Sequence, residues 1–188
     1  MGLLDFLRGL FAAGTTSLPA VSFRFPYSPD PLLRREELWH NLQHGILLED
    51  KGVLLAWDTP FLMLRKYAER YYPQTRRSKA LWQLGRHPVL DGYILDVGIY
   101  RERLQYTDQP FRRASVLLGF GESGLYALRD LLVHLTDRFG QPDNGQLSEL
   151  GDLSVGEVSW RKGDTEIRVS AVGQYTVECY LYIGKVEA

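Results

Sequence analysis

Three stretches of this 188-residue chain carry residue types at spacings that chemistry uses. "VLLGFGESGLYAL" sets Gly119, Gly121 and Gly124 in a G-x-G-x-x-G pattern after an apolar run and before a helical one. In a dinucleotide fold such glycines cradle phosphates at a helix N-terminus. "HNLQH" puts His40 and His44 at i,i+4 on a helix, a spacing at which two imidazoles reach one metal. The residue after His40 is Asn41, though, where a metalloprotease helix carries its glutamate base, so no metal is expected. "RKYAERYYPQTRRSKALWQLGRH" interleaves cations, among them Arg76, Arg77 and Lys79, with Tyr67, Tyr71, Tyr72 and Trp82, as single-strand nucleic-acid binders do.

Each has a structural alternative. A dinucleotide site needs strands buried on both faces and an acidic residue closing the next parallel strand. The strands after Gly124 alternate instead, and "VGEVSW" ends on Trp160, Arg161 and Lys162. The glycines then read as a strand end and a tight corner, with Ser123 as helix cap; anion binding at Gly121, Ser123 and Gly124 is the residual alternative. His44 beside Gly45 suits a helix C-terminus. Tyr67 and Tyr71 at i,i+4 suit an inward-packing helix with the cations in solvent, and a net charge of −1 disfavours a dedicated nucleic-acid binder. Cys179 falls at an inward strand position, where thiols serve as packing, and no serine stands in a G-x-S-x-G elbow. Carboxylates such as Asp91 and Asp96, or Asp143 and Glu149, belong to turns and solvent unless folding pairs them. Neither catalytic residues nor a cofactor is expected.

The elements that must position these residues follow from periodicity. Length allows one domain of about 70% buried surface, and 45% apolar with 24% charged residues is ordinary for a folded chain. "MGLLDFLRGLFAAG" gathers Leu3, Leu4, Phe6, Leu7, Leu10 and Phe11 on one helical face, predicting a docked terminal helix rather than a signal peptide or membrane span. "AVSFRF" reads as a strand, "LLRREELWHNLQH" as a helix stopped by Gly45, and "ILLEDKGVLLAW" as a hairpin. "WDTPFLMLRKYAERYY" predicts a long helix capped at Asp58 or Thr59 with Pro60 at its first position. "KALWQL", "GYILDVGIY", "RLQYT" and "RASVLLGF" are strand-like. A helix from about Ser123 to Phe139 stops at Gly140, and three closing strands follow a loop over "QPDNGQLSELGDL".

Thr165, Ile167, Val169 and Ala171 alternate with polar residues, as do Val177, Cys179, Leu181 and Ile183. Such strands belong to a sheet covered on one face only. The short "WRKGDT" link makes its two strands antiparallel. The expected fold is α+β: largely antiparallel sheet with helices on one face. It forms one domain of two helix-plus-strands units, 15–114 and 115–188, sharing a core.

Charge is uneven along this chain. Lys and Arg number five against seven Asp and Glu over 1–63, eleven against five over 64–114, and six against eleven over 115–188. The single cysteine excludes an intrachain disulfide framework and points to a reducing, cytoplasmic setting. The C-terminal unit, with Phe139, Gly140, Pro142, Trp160, Gly163 and Asp164, resembles a pattern in small bacterial α+β proteins of the toxin-immunity type. A helix there ends in an aromatic, Gly, x, Pro turn, and a Trp-bearing strand precedes a charged hairpin. The likeness spans a quarter to a third of the chain and implies a non-enzymatic protein-binding role without transferring any functional residue. On the outward side of the last strands, Glu166, Glu178, Tyr180 and Tyr182 are the residues expected to meet a protein partner, because tyrosine favours interfaces. The alternatives are a helix covering those tyrosines, an enzyme or anion-binding protein using the Gly119–Gly124 corner, and nucleic-acid binding through 65–86.

Overall fold

The computed structural model describes residues 22–73, 80–100, 110–146, 156–173 and 176–186. The amphipathic stretch 1–14, the "RLQYT" segment, Arg76, Arg77, Lys79 and Glu149 lie outside the described residues.

Asp30 starts the first helix, α1 (Pro31–His44): its carboxylate accepts the Leu32 and Leu33 N–H groups, and Pro31 needs no donor partner at that position. Gly45 ends it as expected, its N–H returning to the Asn41 carbonyl. A small hairpin follows, β1 (Gly45–Leu48) and β2 (Val53–Ala56), turning at the predicted Glu49–Gly52.

Two expectations fail next. Residues 22–25 form no strand; they run extended along α1, the Arg24 N–H and carbonyl both bonded to the Asn41 side chain. Both Phe23 and Phe25 are exposed, so their alternation marks no buried face. The long helix over 58–72 is also absent. Pro60 is extended (ψ 137°) and bridges to Pro110, so its preset φ serves a bend, and only a 3-10 helix, Phe61–Tyr67, forms behind it. Phe61 and Leu64 point inward at the i,i+3 spacing this tighter helix aligns. Arg70–Tyr72 then becomes β3, pairing with the next strand. Tertiary pairing overrode a helical pattern of about four turns.

The other strands are β4 (Leu81–Val89), β5 (Tyr93–Tyr100), β6 (Arg113–Phe120), β7 (Asn144–Gln146), β8 (Glu157–Lys162), β9 (Thr165–Val172) and β10 (Glu178–Lys185). β7 was not foreseen; it lies within the expected loop. The second helix, α2 (Gly121–Phe139), links β6 to β7.

All eight long-sheet strands pair antiparallel, in the order β3-β4-β5-β6-β10-β9-β8-β7. The order is palindromic: two four-strand meanders, each preceded by helical chain, meet at β6 and β10. The fold is α+β, as the alternation predicts.

Both α-helices and the β1–β2 hairpin pack on one face of this sheet. α2 contributes Leu128, Leu131, Leu135 and Phe139 to the core, against Ile167, Val169, Cys179 and Leu181. Trp160 closes the far end, its indole N–H donating to the Gly140 carbonyl at 2.7 Å. Trp57 and Trp82 likewise satisfy their N–H groups on the carbonyls of Leu42 and Phe61, so three indoles are buried with no orphaned donor.

Candidate functional site: the uncovered sheet face

Period-two alternation turns every second residue of β6, β8, β9 and β10 away from the helices. The register stacks these residues into rows across the strands. Arg113, Gly184, Glu166 and Arg161 form one row; Ser115, Tyr182, Arg168 and Ser159 the next. Leu117, Tyr180, Ser170 and Glu157 follow, then Phe120, Glu178 and Val172. The structure therefore brings Glu166, Glu178, Tyr180 and Tyr182 onto one surface, and neither described α-helix covers it. Sequence missed the residues that complete this face from β6, Leu117 and Phe120, because nothing in the chain announces that β6 lies beside β10.

The centre of the face is an aromatic and ionic cluster. Tyr180 and Tyr182 stack with ring centroids 5.9 Å apart and planes 22° from parallel. Arg168 lies 5.2 Å from the Tyr182 ring centre, a cation over an aromatic face. Its guanidinium nitrogens stand 3.9 Å from both Glu157 and Glu166, near enough for Coulomb attraction and too far for hydrogen bonds. The Tyr180 hydroxyl donates to Glu178, and that bond, with burial, pushes its pKa upward. Burial also raises Tyr182, partly offset by the charges of Arg168 and Arg113. On either side of Tyr182, Ser115 Oγ and Arg168 Nε are sheltered from solvent yet have no hydrogen-bond partner. Beside this polar centre, Leu117 (45% exposed) and Phe120 (50%) on β6, and Val172 (56%) across Glu178 on β9, offer apolar surface.

The Gly119–Gly124 corner is built for close packing. A Cβ on Gly124 would sit 2.6 Å from the carbonyl carbon and oxygen of Gly119, so both glycines let helix and strand backbones touch. Gly121 takes a left-handed φ of 54°, and its N–H bonds to the Val177 carbonyl. Ser123 is not the cap: Phe120 holds that position, and Ser123 Oγ donates back to the Phe120 carbonyl. Gly121, Ser123 and Gly124 are thus adjacent, with one N–H and one hydroxyl already engaged in fixing the turn.

His40 and His44 do come together, ring centroids 4.7 Å apart, but each has a backbone partner, the Ser22 and His40 carbonyls respectively. Among the described residues no group of three His, Cys, Asp or Glu side chains is arranged to hold a metal. Cys179 has no exposed surface, and burial raises its thiol pKa, which favours the unreactive form. Of the carboxylates singled out, Asp91 binds Arg34 and Arg138, Asp96 meets Gln83, and Asp143 accepts the Arg161 N–H; Glu149 lies outside the described residues.

A buried polar knot escaped the sequence. Glu49, next to the hairpin turn, is buried, and its carboxylate accepts the Asp91 and Gly92 N–H groups at 2.7 and 2.8 Å. His87, also buried, places Nδ1 against Asp50 and Nε2 against the Leu84 carbonyl, each at 3.0 Å. His134 bonds the Leu90 carbonyl, and Tyr93 bonds Asp130. These groups join the β1–β2 hairpin, α2 and the β4–β5 turn. Their partners lie about forty residues away, where local patterns carry no signal.

Among the described residues no helix is long and apolar enough to cross a membrane. Comparison with protein-family models, with curated proteins and with solved structures found no match.

Proposed function

We propose that this chain is a non-enzymatic, cytoplasmic protein-binding module, of the immunity or adaptor kind, that engages a protein through the uncovered sheet face. The observation that carries this reading is the clustering, on one open surface, of the Tyr180–Tyr182 stack, Arg168, and exposed Leu117, Phe120 and Val172. Aromatic residues and arginine are the types that dominate interface energetics, and exposed apolar side chains set among charged ones are a common form of docking surface. Two sheltered polar atoms without partners, on Ser115 and Arg168, add hydrogen-bonding capacity that a docked chain would satisfy. The reactive residue types support the same reading: the cysteine is core packing, and the histidines are engaged with backbone or carboxylate partners.

Site-specific photo-crosslinking in cells tests this. A photoreactive residue at Leu117 is expected to yield discrete protein adducts. The same residue at Val133, exposed on the helical side, is expected to yield none. Adducts of equal yield from both sites, or from Val133 alone, would overturn the assignment of the sheet face.

A further inference from the structure

The uncovered face is polarised along its strands. Arg113, Arg161 and Arg168 occupy the two rows on the Tyr182 side of the gap between the tyrosines, and Glu157 and Glu178 the two rows on the Tyr180 side. Glu166, on the positive side, lies within ionic reach of Arg168. The apolar residues Leu117, Phe120 and Val172 share the negative end. A surface with opposite charges at its two ends is complementary to itself when turned over about a two-fold axis lying in the interface. With that axis running across the strands between Tyr180 and Tyr182, each tyrosine row faces the other row of the second copy. The Arg113 position of one copy then falls over Phe120 and beside Glu178 of the other, and Arg168 over Ser170 beside Glu157.

From this arrangement we propose that the occupant of the face is a second copy of this chain, giving an isologous dimer of two stacked sheets with the Tyr180–Tyr182 pairs at its centre. Such a pairing is the commonest oligomer symmetry and puts every favourable contact in twice. Two twisted sheets pack face to face about 10 Å apart with their strands within about 30°. The four strands whose outward residues form the face, β6, β10, β9 and β8, span about 19 Å by about 26 Å, roughly 500 Å², so the neighbouring β5 and β4 would supply the rest of the roughly 800 Å² that each partner of a standard interface buries. The dimer would also place the Ser170 hydroxyl of the second copy opposite Arg168, whose Nε has no partner, while Ser115 would face Leu117.

The test is a charge swap read by sedimentation of the full chain. Wild type is expected to sediment as a dimer at micromolar concentration. Glu178→Arg alone lies beside Arg113 of its twin, and Arg113→Glu alone beside Glu178; each is expected to weaken self-association at least about tenfold. An equimolar mixture of the two variants restores opposite charges at both copies of the contact and is expected to recover the dimer, which also shows that both variants fold. A monomeric wild type, or a mixture no more associated than its components, overturns the proposal. This inference rests on the sheet face being a protein-binding surface. Crosslinks from Leu117 to a different protein alongside a monomeric wild type would remove the dimer alone, whereas no Leu117 adducts of any kind would remove both.

Discussion

Glu49 holds Gly92 from across 43 residues of chain: its carboxylate accepts the Gly92 N–H at 2.8 Å and the neighbouring Asp91 N–H at 2.7 Å. Leu90, Asp91 and Gly92 all have left-handed φ, at 54°, 69° and 87°. Two of them are non-glycine residues in a conformation that sterics disfavour. The turn persists because surrounding groups over-determine it: Glu49 takes two N–H groups, His134 the Leu90 carbonyl, and Arg34 and Arg138 the Asp91 carboxylate.

Removing that clamp is costly. Glu49→Ala leaves two sheltered N–H groups without partners and is expected to destabilise by about 2–4 kcal/mol, with Glu49→Gln milder because one oxygen remains. Burial raises the Glu49 pKa above its ordinary 4.5, outweighing the two backbone bonds. A raised carboxylate means that the folded state holds the proton more tightly, so stability should fall as pH rises from about 4.5 through the folded value. Denaturant titrations between pH 4 and 8 should show this slope in wild type and lose it in Glu49→Gln. An identical slope in both chains would contradict it.

The strand-to-helix corner gives a contrast between Gly121 and Gly124, three positions apart. Gly124→Ala drives a Cβ into the Gly119 carbonyl and is expected to cost about 2–4 kcal/mol. Gly121→Ala meets open space and carries only the strain of its φ of 54°, about 1 kcal/mol. Thermal melts of both variants check the order; equal losses would mean that helix and strand do not touch there.

Trp160→Phe should matter more than its conservative appearance. The ring is fully buried and its N–H satisfies the Gly140 carbonyl at the end of α2. Phenylalanine leaves that acceptor unpaired and part of the volume empty, for an expected loss of about 2–4 kcal/mol. Chemical denaturation followed by far-ultraviolet circular dichroism reads this directly.

Alkali should unfold the protein through its tyrosines. Among the described residues, Tyr27, Tyr93, Tyr180 and Tyr182 have raised pKa values. Burial is the first cause for Tyr27, Tyr93 and Tyr182, and the bond to Glu178 for Tyr180. A group raised in the folded state contributes stability that is fully present below its unfolded value, about 10, and is lost as pH rises through the folded value. Absorbance at alkaline pH should show an early ionising set, then a late set that ionises together with loss of the dichroism signal. All tyrosines ionising in one step near pH 10, with the fold intact, would refute this.

Much of the fold was legible in the last thirty residues. Ile167, Val169, Cys179, Leu181 and Ile183 are all buried where alternation put them, and the intervening Glu166, Arg168, Tyr180 and Tyr182 all face outward. Helix stops were legible where a single residue type does the work, as at Gly45 and Gly140, whereas the Asp30 cap was not read from the sequence. Pattern failed at residues 58–72, because Phe61 and Leu64 fit an α-helix and a 3-10 turn equally, and pairing of Arg70–Tyr72 with β4 decided between them. It failed also at Ser123, a good capping type whose hydroxyl turns back to Phe120.

The sequence by itself determined that the closing strands are antiparallel and oily on one side, because that information is local: side chains alternate with the backbone pleat, and short links forbid crossovers. Only the tertiary structure decided that β6 lies against β10, joining Leu117 and Phe120 to the Tyr180–Tyr182 stack, and that Glu49 grips a turn in another hairpin. Those choices rest on which distant surfaces bury the most apolar area while leaving every buried polar group a partner, a property of the whole chain that no window of neighbouring residues contains.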